Sequence, residues 1–114
     1  MVAPNQKLYH CLTDTPGDIE KPIAYSICKA GVLNMTRHLA SLYGEYNIRV
    51  NTLSPGGVFA NNPDEFTKQY SDRTILGRMA KKDDYIGALL FLLSDSSSYM
   101  TGANLVVDGG WTAL

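Results

Sequence analysis

Helix-spaced and strand-like apolar runs alternate along this chain, and that order constrains its fold more than any other feature. From residue 23 to residue 43 apolar positions recur at helical spacing: Ile27, Ala30, Gly31, Leu33, Met35, Leu39 and Leu42. Asn47-Ile48-Arg49-Val50-Asn51-Thr52-Leu53 then reads as a short strand with Ile48 and Val50 on one face, and Ser54-Pro55-Gly56-Gly57 stops it. A second apolar helix carries Ile86, Leu89, Leu90, Leu92 and Leu93 and ends by Asp95-Ser96-Ser97-Ser98. Asp83-Asp84 places negative charge at its start, where the helix macrodipole favours it. Residues 104–108 form a compact final strand before Gly109-Gly110-Trp111. Helix, strand, helix, strand is the order of an α/β protein with a parallel sheet. Two strands make only an edge of a doubly wound sheet, and one side of that edge exposes backbone donors and acceptors unless another segment or chain covers it.

The connections complete the outline. Residues 1–22 read as an irregular loop punctuated by Pro4, Pro16, Gly17 and Pro22, with turn residues clustered at 13–18. Pro22 suits the first turn of the long helix, Gly44 stands where its C-terminal cap belongs, and Ala30-Gly31 predicts the close approach of another backbone. Residues 61–82 are polar, with a short helix expected over 63–70 and a turn near Gly77. The expected organisation is one segment: the loop 1–22, then an αβαβ unit over 23–114 with two strands, two long helices and one short helix.

Composition narrows the function classes. With 114 residues, 45% apolar and 18% charged, the chain has enough apolar mass for a core and is not a disordered polymer. No apolar run approaches the roughly 18–20 residues of a membrane span. Ten basic against eleven acidic side chains give no electrostatic reason to expect nucleic acid or an anionic membrane as partner. The first seven residues hold no apolar signal core, so the cytoplasm is the expected address. Cys11 and Cys28 fit reduced thiols better than a disulfide scaffold or a zinc site. His10 and His38 have no partners at metal spacing, and no metal is expected. At 114 residues the chain is also shorter than the roughly 150 that a doubly wound nucleotide-binding enzyme usually needs.

Three places could carry chemistry. Tyr25 and Lys29 lie four apart on the first helix, so both side chains emerge on one face. A phenol is a poor base at neutral pH, and a neighbouring ammonium stabilises its ionised form, which makes it usable as a general acid/base. Chance composition alone gives about 0.4 such pairs, so the pair by itself equally fits a solvated helix face. Ser54-Pro55-Gly56-Gly57-Val58 follows a strand, where glycines admit a ligand to the backbone at the carboxyl edge of an open sheet; an ordinary turn has the same composition. Asp108-Gly109-Gly110-Trp111 reads most simply as a strand-ending turn with an aromatic anchor.

Taken together and in order, these segments resemble a known family. Tyr25-Ser26-Ile27-Cys28-Lys29-Ala30-Gly31 is similar to the Tyr-x-x-x-Lys active-site helix of the short-chain dehydrogenases/reductases, and Asn47 through Val58 resembles that family's next strand and Pro-Gly loop. Gly77-Arg78-Met79-Ala80, the helix 86–95, Tyr99-Met100-Thr101-Gly102 and Val107-Asp108-Gly109-Gly110 match its C-terminal part in order and spacing. The resemblance runs from about residue 9 to the end. It implies the C-terminal portion of a Rossmann-like doubly wound parallel sheet, and an oxidoreductase using NAD or NADP on a small alcohol or carbonyl substrate.

By the same resemblance, Tyr25 exchanges a proton with the substrate oxygen, and Lys29 assists it and hydrogen-bonds the nicotinamide ribose. Pro55, Gly56, Gly57 and Val58 line the nicotinamide pocket, Val58 through its backbone. The chain also departs from the pattern. None of its ten glycines begins a G-x-G-x-x-G turn, Ala60 stands where the family often has a phosphate-touching Thr, with Asn61 and Asn62 as possible substitutes, and Thr13 lies near the offset of the catalytic Ser without its strand setting. The expected function is therefore a segment of an NAD(P)-dependent oxidoreductase, inactive alone because the N-terminal nucleotide-binding half is missing. That half, or further copies in a homo-oligomer, is the expected partner. The alternative is a truncated, non-catalytic module that self-associates. The loops 5–22 and 59–82, with Tyr9, His10, Phe66 and Tyr70, would shape the substrate pocket and hint at a polar, sugar-like molecule.

Overall fold

In the computed structural model, residues 3–12 and 20–113 are described. Among these residues three α-helices and two parallel strands carry the fold: α1 at Ile23–Tyr43, β1 at Thr52–Pro55, α2 at Asp64–Ser71, α3 at Ile86–Leu93 and β2 at Asn104–Val107. The two strands pair in parallel from Thr52 with Asn104 to Pro55 with Val107, as the αβαβ order requires. A 3-10 turn over Lys82–Tyr85 runs straight into α3, so the second apolar helix spans both.

Several local expectations change in the structure. Helix α1 keeps the sequence-derived bounds, but Pro22 is its N-cap residue and not part of its first turn. Gly44 stays right-handed and leads into a further 3-10 turn, and the left-handed residue that stops the helix is Asn47, at φ 58°. The first strand starts at Thr52, not Asn47. Between them one backbone bond of a ladder remains, Gly102 N–H to Val50 O at 2.7 Å, and side chains supply the rest: Thr101 Oγ1 accepts the Val50 N–H at 3.1 Å, and the Asn51 side chain bonds Met100 O at 2.8 Å and the Ala103 N–H at 3.1 Å. The loop before α1 is not wholly irregular either, since Gln6–Leu12 form a 3-10 helix. Leu8 buries it, and Gln6 ties it to Lys21 through two hydrogen bonds of 3.0 and 3.1 Å. The turn cluster at 13–18, Thr13 included, lies outside the described residues.

The core sits under the strand ends. Leu8, Phe66 and Met79 are buried together, with Tyr9, Cys11, Leu12, Tyr70 and Trp111 packed around them. Helix α1 contributes little to this cluster. Of its 21 residues only Thr36 and Ala40 are buried, and it meets β1 through Thr36 Oγ1, 2.5 Å from Thr52 Oγ1. Among the described residues nothing comes within 4 Å of the side-chain position at Gly31, so the expected close backbone approach there is absent from this chain's own packing. Large apolar side chains stay exposed on α1 (Ile23, Ile27, Met35, Leu42) and on α3 (Ile86, Leu89, Leu90, Leu93). The radius of gyration, 16.5 Å, exceeds the roughly 13 Å of a compact chain of this length.

Arg49 locks α3 to the start of β1. Its guanidinium donates to Leu92 O at 3.0 Å, Ser94 O at 3.3 Å, Ser97 Oγ at 2.9 Å and Met100 O at 3.4 Å. A cation at a helix C-terminus satisfies its last carbonyls and opposes the negative end of the dipole.

Candidate active site

Tyr25 and Lys29 come together as their spacing predicts. Both stand on the first two turns of α1, and the Lys29 ammonium lies 5.7 Å from the Tyr25 ring centre. Tyr25 remains 44% exposed and Lys29 is exposed, so the pair is open to whatever approaches this end of the helix. A second ammonium accompanies them: Lys21 sits 5.1 Å from the Tyr25 ring centre and 5.2 Å from that of Tyr9. It precedes Tyr25 by the same four residues by which Lys29 follows it, and that spacing was the signal that could have found it.

The Pro55–Val58 segment is built quite differently. Thr52 donates to Ala103 O and Gly56 to Val107 O, both at 2.9 Å, so alternate residues of β1 face β2. Pro55, which has no N–H, falls on the other side and removes nothing from the pairing. Gly56 and Gly57 then pass where no side chain fits. A Cβ on Gly56 would lie 2.8 Å from Asp108 Cα, and one on Gly57 would lie 2.6 Å from Tyr70 Cζ. The tight approach to these glycines is therefore made by the protein itself.

Two phenols hold the turn. Gly57 N–H donates to the Tyr70 hydroxyl at 2.5 Å, and the Tyr85 hydroxyl donates to Gly56 O at 3.0 Å. Val58 pairs as a single parallel bridge with Ala80, through Ala80 N–H to Gly57 O and Phe59 N–H to Ala80 O, both 2.9 Å. In that pattern the neighbours of Val58 do the bonding, and its own N–H and C=O point the other way, unpaired among the described residues. Downstream, Asn62 Oδ1 accepts the Ala60 N–H at 3.0 Å, and Asn61 takes a left-handed φ of 56°. A cavity of about 170 Å³ adjoins the Gly56–Gly57 turn, with Arg78, Asp84 and Tyr85 in its wall; neither Tyr25 nor Lys29 lines it.

Tyr70 links the two groups. It bonds Gly57, stacks on Trp111 with ring centres 4.3 Å apart, and lies close enough to Tyr25 to feel its charge. Burial pushes the Tyr70 phenol up from its ordinary value, against the opposing pull of the Gly57 N–H. Burial likewise raises Tyr9, with Tyr25 and Tyr70 adding to the effect. Phe66 belongs to the core and not to an open pocket wall, since it is buried between Tyr9 and Tyr70. Asp108 is the strand-ending turn read from the sequence. Burial raises its carboxyl, but hydrogen bonds from Thr112 and Gly110 outweigh that and hold it below the usual range. The Arg78 fork binds the Asp84 carboxylate at 2.6 and 3.1 Å, and that hydrogen bonding, aided by the Lys81 N–H, lowers Asp84 to about 2. Cys11 and Cys28 are free thiols, and among the described residues no group of three or more His, Cys, Asp or Glu side chains is placed to hold a metal ion. No helix among the described residues is long and apolar enough to cross a membrane.

The two parallel strands with helices before and between them form an α/β edge, and comparison with known proteins identifies the family it comes from. A family model described as enoyl-(acyl carrier protein) reductase matches residues 16–112. The chain is 42% identical over 104 residues to an NADH-dependent L-xylulose reductase of Ambrosiozyma monospora, covering 84% of this chain and 38% of that protein. It is 41% identical over 102 residues to a ribulose-forming D-arabinitol 2-dehydrogenase of Candida tropicalis, covering 82% and 36%. Its fold superposes on a short-chain dehydrogenase of Leptospira borgpetersenii with bound NAD+ at a TM-score of 0.79, with 41% identity, covering 92% of this chain and 41% of that one. The chain belongs to the short-chain dehydrogenase/reductase family of oxidoreductases. It spans well under half the length of these relatives.

Proposed function

We propose that this chain is the acid/base and nicotinamide-contacting part of an NAD(P)-dependent oxidoreductase, working only together with a nucleotide-binding half. The observation that carries the reading is the Val58 backbone, unpaired among the described residues, beside a turn held in one shape, on the same chain as an exposed Tyr25 with Lys29 beside it. A nicotinamide carboxamide needs one acceptor and one donor, and Val58 offers both. The coenzyme, when bound, gives or takes hydride. Tyr25 passes a proton to or from the substrate oxygen, Lys29 keeps positive charge against the phenol and reaches the ribose hydroxyls, and Pro55, Gly56 and Gly57 form the wall behind the ring. Nothing in residues 1–114 offers the glycine turn that takes a pyrophosphate. The exposed apolar faces of α1 and α3 are the surfaces a nucleotide-binding half or a second copy would cover.

The substrate class we assign is a polyol or ketose. Two relatives are named for L-xylulose and D-arabinitol, and the Tyr9 and Tyr70 rings lie near Tyr25 with polar loops around them. The test joins this chain to the amino-terminal half of the xylulose reductase and assays ketose reduction. Tyr25→Phe should lower kcat about a thousandfold with coenzyme affinity kept. Equal rates for the two proteins would remove Tyr25 from the chemistry.

A further inference from the structure

We propose that Tyr70 and Tyr85 are positioning residues that clamp the Gly56–Gly57 peptide and thereby aim the Val58 backbone at the nicotinamide carboxamide, an inference that rests on the functional reading above. The two hydroxyls act on a single peptide unit. Its C=O accepts from Tyr85 at 3.0 Å and its N–H donates to Tyr70 at 2.5 Å. The phenols reach it from separate elements, Tyr70 from α2 and Tyr85 from the 3-10 turn ahead of α3. Two consecutive glycines are the freest hinge a backbone can have, and a rotation about them would swing the Val58 N–H with it. The clamp removes that freedom. The next carbonyl, Gly57 O, is already taken by Ala80 N–H, so each peptide group leading to Val58 is held, while Val58's own N–H and C=O stay open among the described residues.

The rings are themselves held. Tyr70 is stacked on Trp111 and packed against Phe66, and the Gly57 position leaves no room for a side chain beside it. Burial raises both phenols above their ordinary value, so both keep their protons at neutral pH and Tyr85 remains a donor.

The test uses Tyr70→Phe and Tyr85→Phe, which keep the rings and remove only the hydroxyls; Tyr85→Phe also leaves the Trp111 stack untouched should the first variant fold poorly. Amide exchange of Gly57 in the full 114-residue chain should quicken about tenfold in Tyr70→Phe, while the amides of Thr52 and Gly56, which bond β2, keep their rates. In the complex with the amino-terminal half, the Kd for NADH or NADPH should rise about tenfold with kcat at saturating coenzyme little changed. Unchanged Gly57 exchange, or a general quickening of the strand amides, overturns the clamp. A loosened Gly57 with unchanged coenzyme affinity overturns its role toward the coenzyme. A wild-type complex that binds neither coenzyme defeats the functional reading itself and this inference with it, whatever the exchange rates show.

Discussion

The two parts of the candidate site are supported in opposite ways. The Pro55–Val58 turn is enclosed by its own chain: Asp108 and Tyr70 close on its glycines, two phenols fix one peptide, and Ala80 pins the next. The Tyr25–Lys29 helix has almost no such enclosure, burying two of 21 residues and leaving Ile27, between the pair in sequence, 64% exposed. This chain orders the turn by itself and leaves the helix face bare. A hydrogen-bonded turn is complete within one polypeptide. An apolar helix face in water is not, because most helical stability in proteins comes from packing that face.

Substitutions should divide along that line. The largest effect is expected at Gly56→Ala, whose new methyl would meet the Asp108 backbone, an atom that cannot swing aside; urea unfolding should show a loss of about 2–3 kcal/mol. A near-neutral result would mean the turn is looser than its contacts. A smaller, pH-dependent effect belongs to Asp84. Its folded value of about 2 lies below the ordinary 3.8, so its contribution is present above pH 3.8 and fades as pH falls toward 2. Asp84→Asn should therefore trim thermal stability slightly at pH 6 and close the gap to wild type near pH 2, and a gap that widens in acid would contradict the sign. The smallest effect is expected at Ile27→Ser on the bare helix face: within about 0.5 kcal/mol for this chain alone, but weaker association with the amino-terminal half. A large loss in the isolated chain would show that α1 is covered after all.

The sequence carried one of these regions better than the other. The bounds of α1 and the face shared by Tyr25 and Lys29 follow from spacing, because a helix is a local structure whose period is written in consecutive residues. The strand pattern begins five residues ahead of the ladder, because Ile48 and Val50 alternate like a strand while Arg49, Asn51 and Thr101 side chains supply most of the bonding there, beside a single backbone bond from Gly102 N–H to Val50 O. The glycine turn was legible as a turn, but what fills the space beside it was not. Tyr70 and Tyr85 lie 13 and 29 residues beyond the glycines they hold, and their meeting is decided by the packing of α2 and by the stack on Trp111. The 3-10 helix at Gln6–Leu12 was hidden for the same reason, since a buried Leu8 and the Gln6–Lys21 pair define it.

In the proposed reading, residues 1–114 supply the nicotinamide end of a site and another segment supplies the end that holds the phosphates. Fluorescence titration with NADH tests it most directly, on residues 1–114 alone and then after the amino-terminal half of the xylulose reductase is added. No binding is expected at micromolar coenzyme for the chain alone, with clear saturation once the half is present. Saturable micromolar binding by residues 1–114 alone would contradict it.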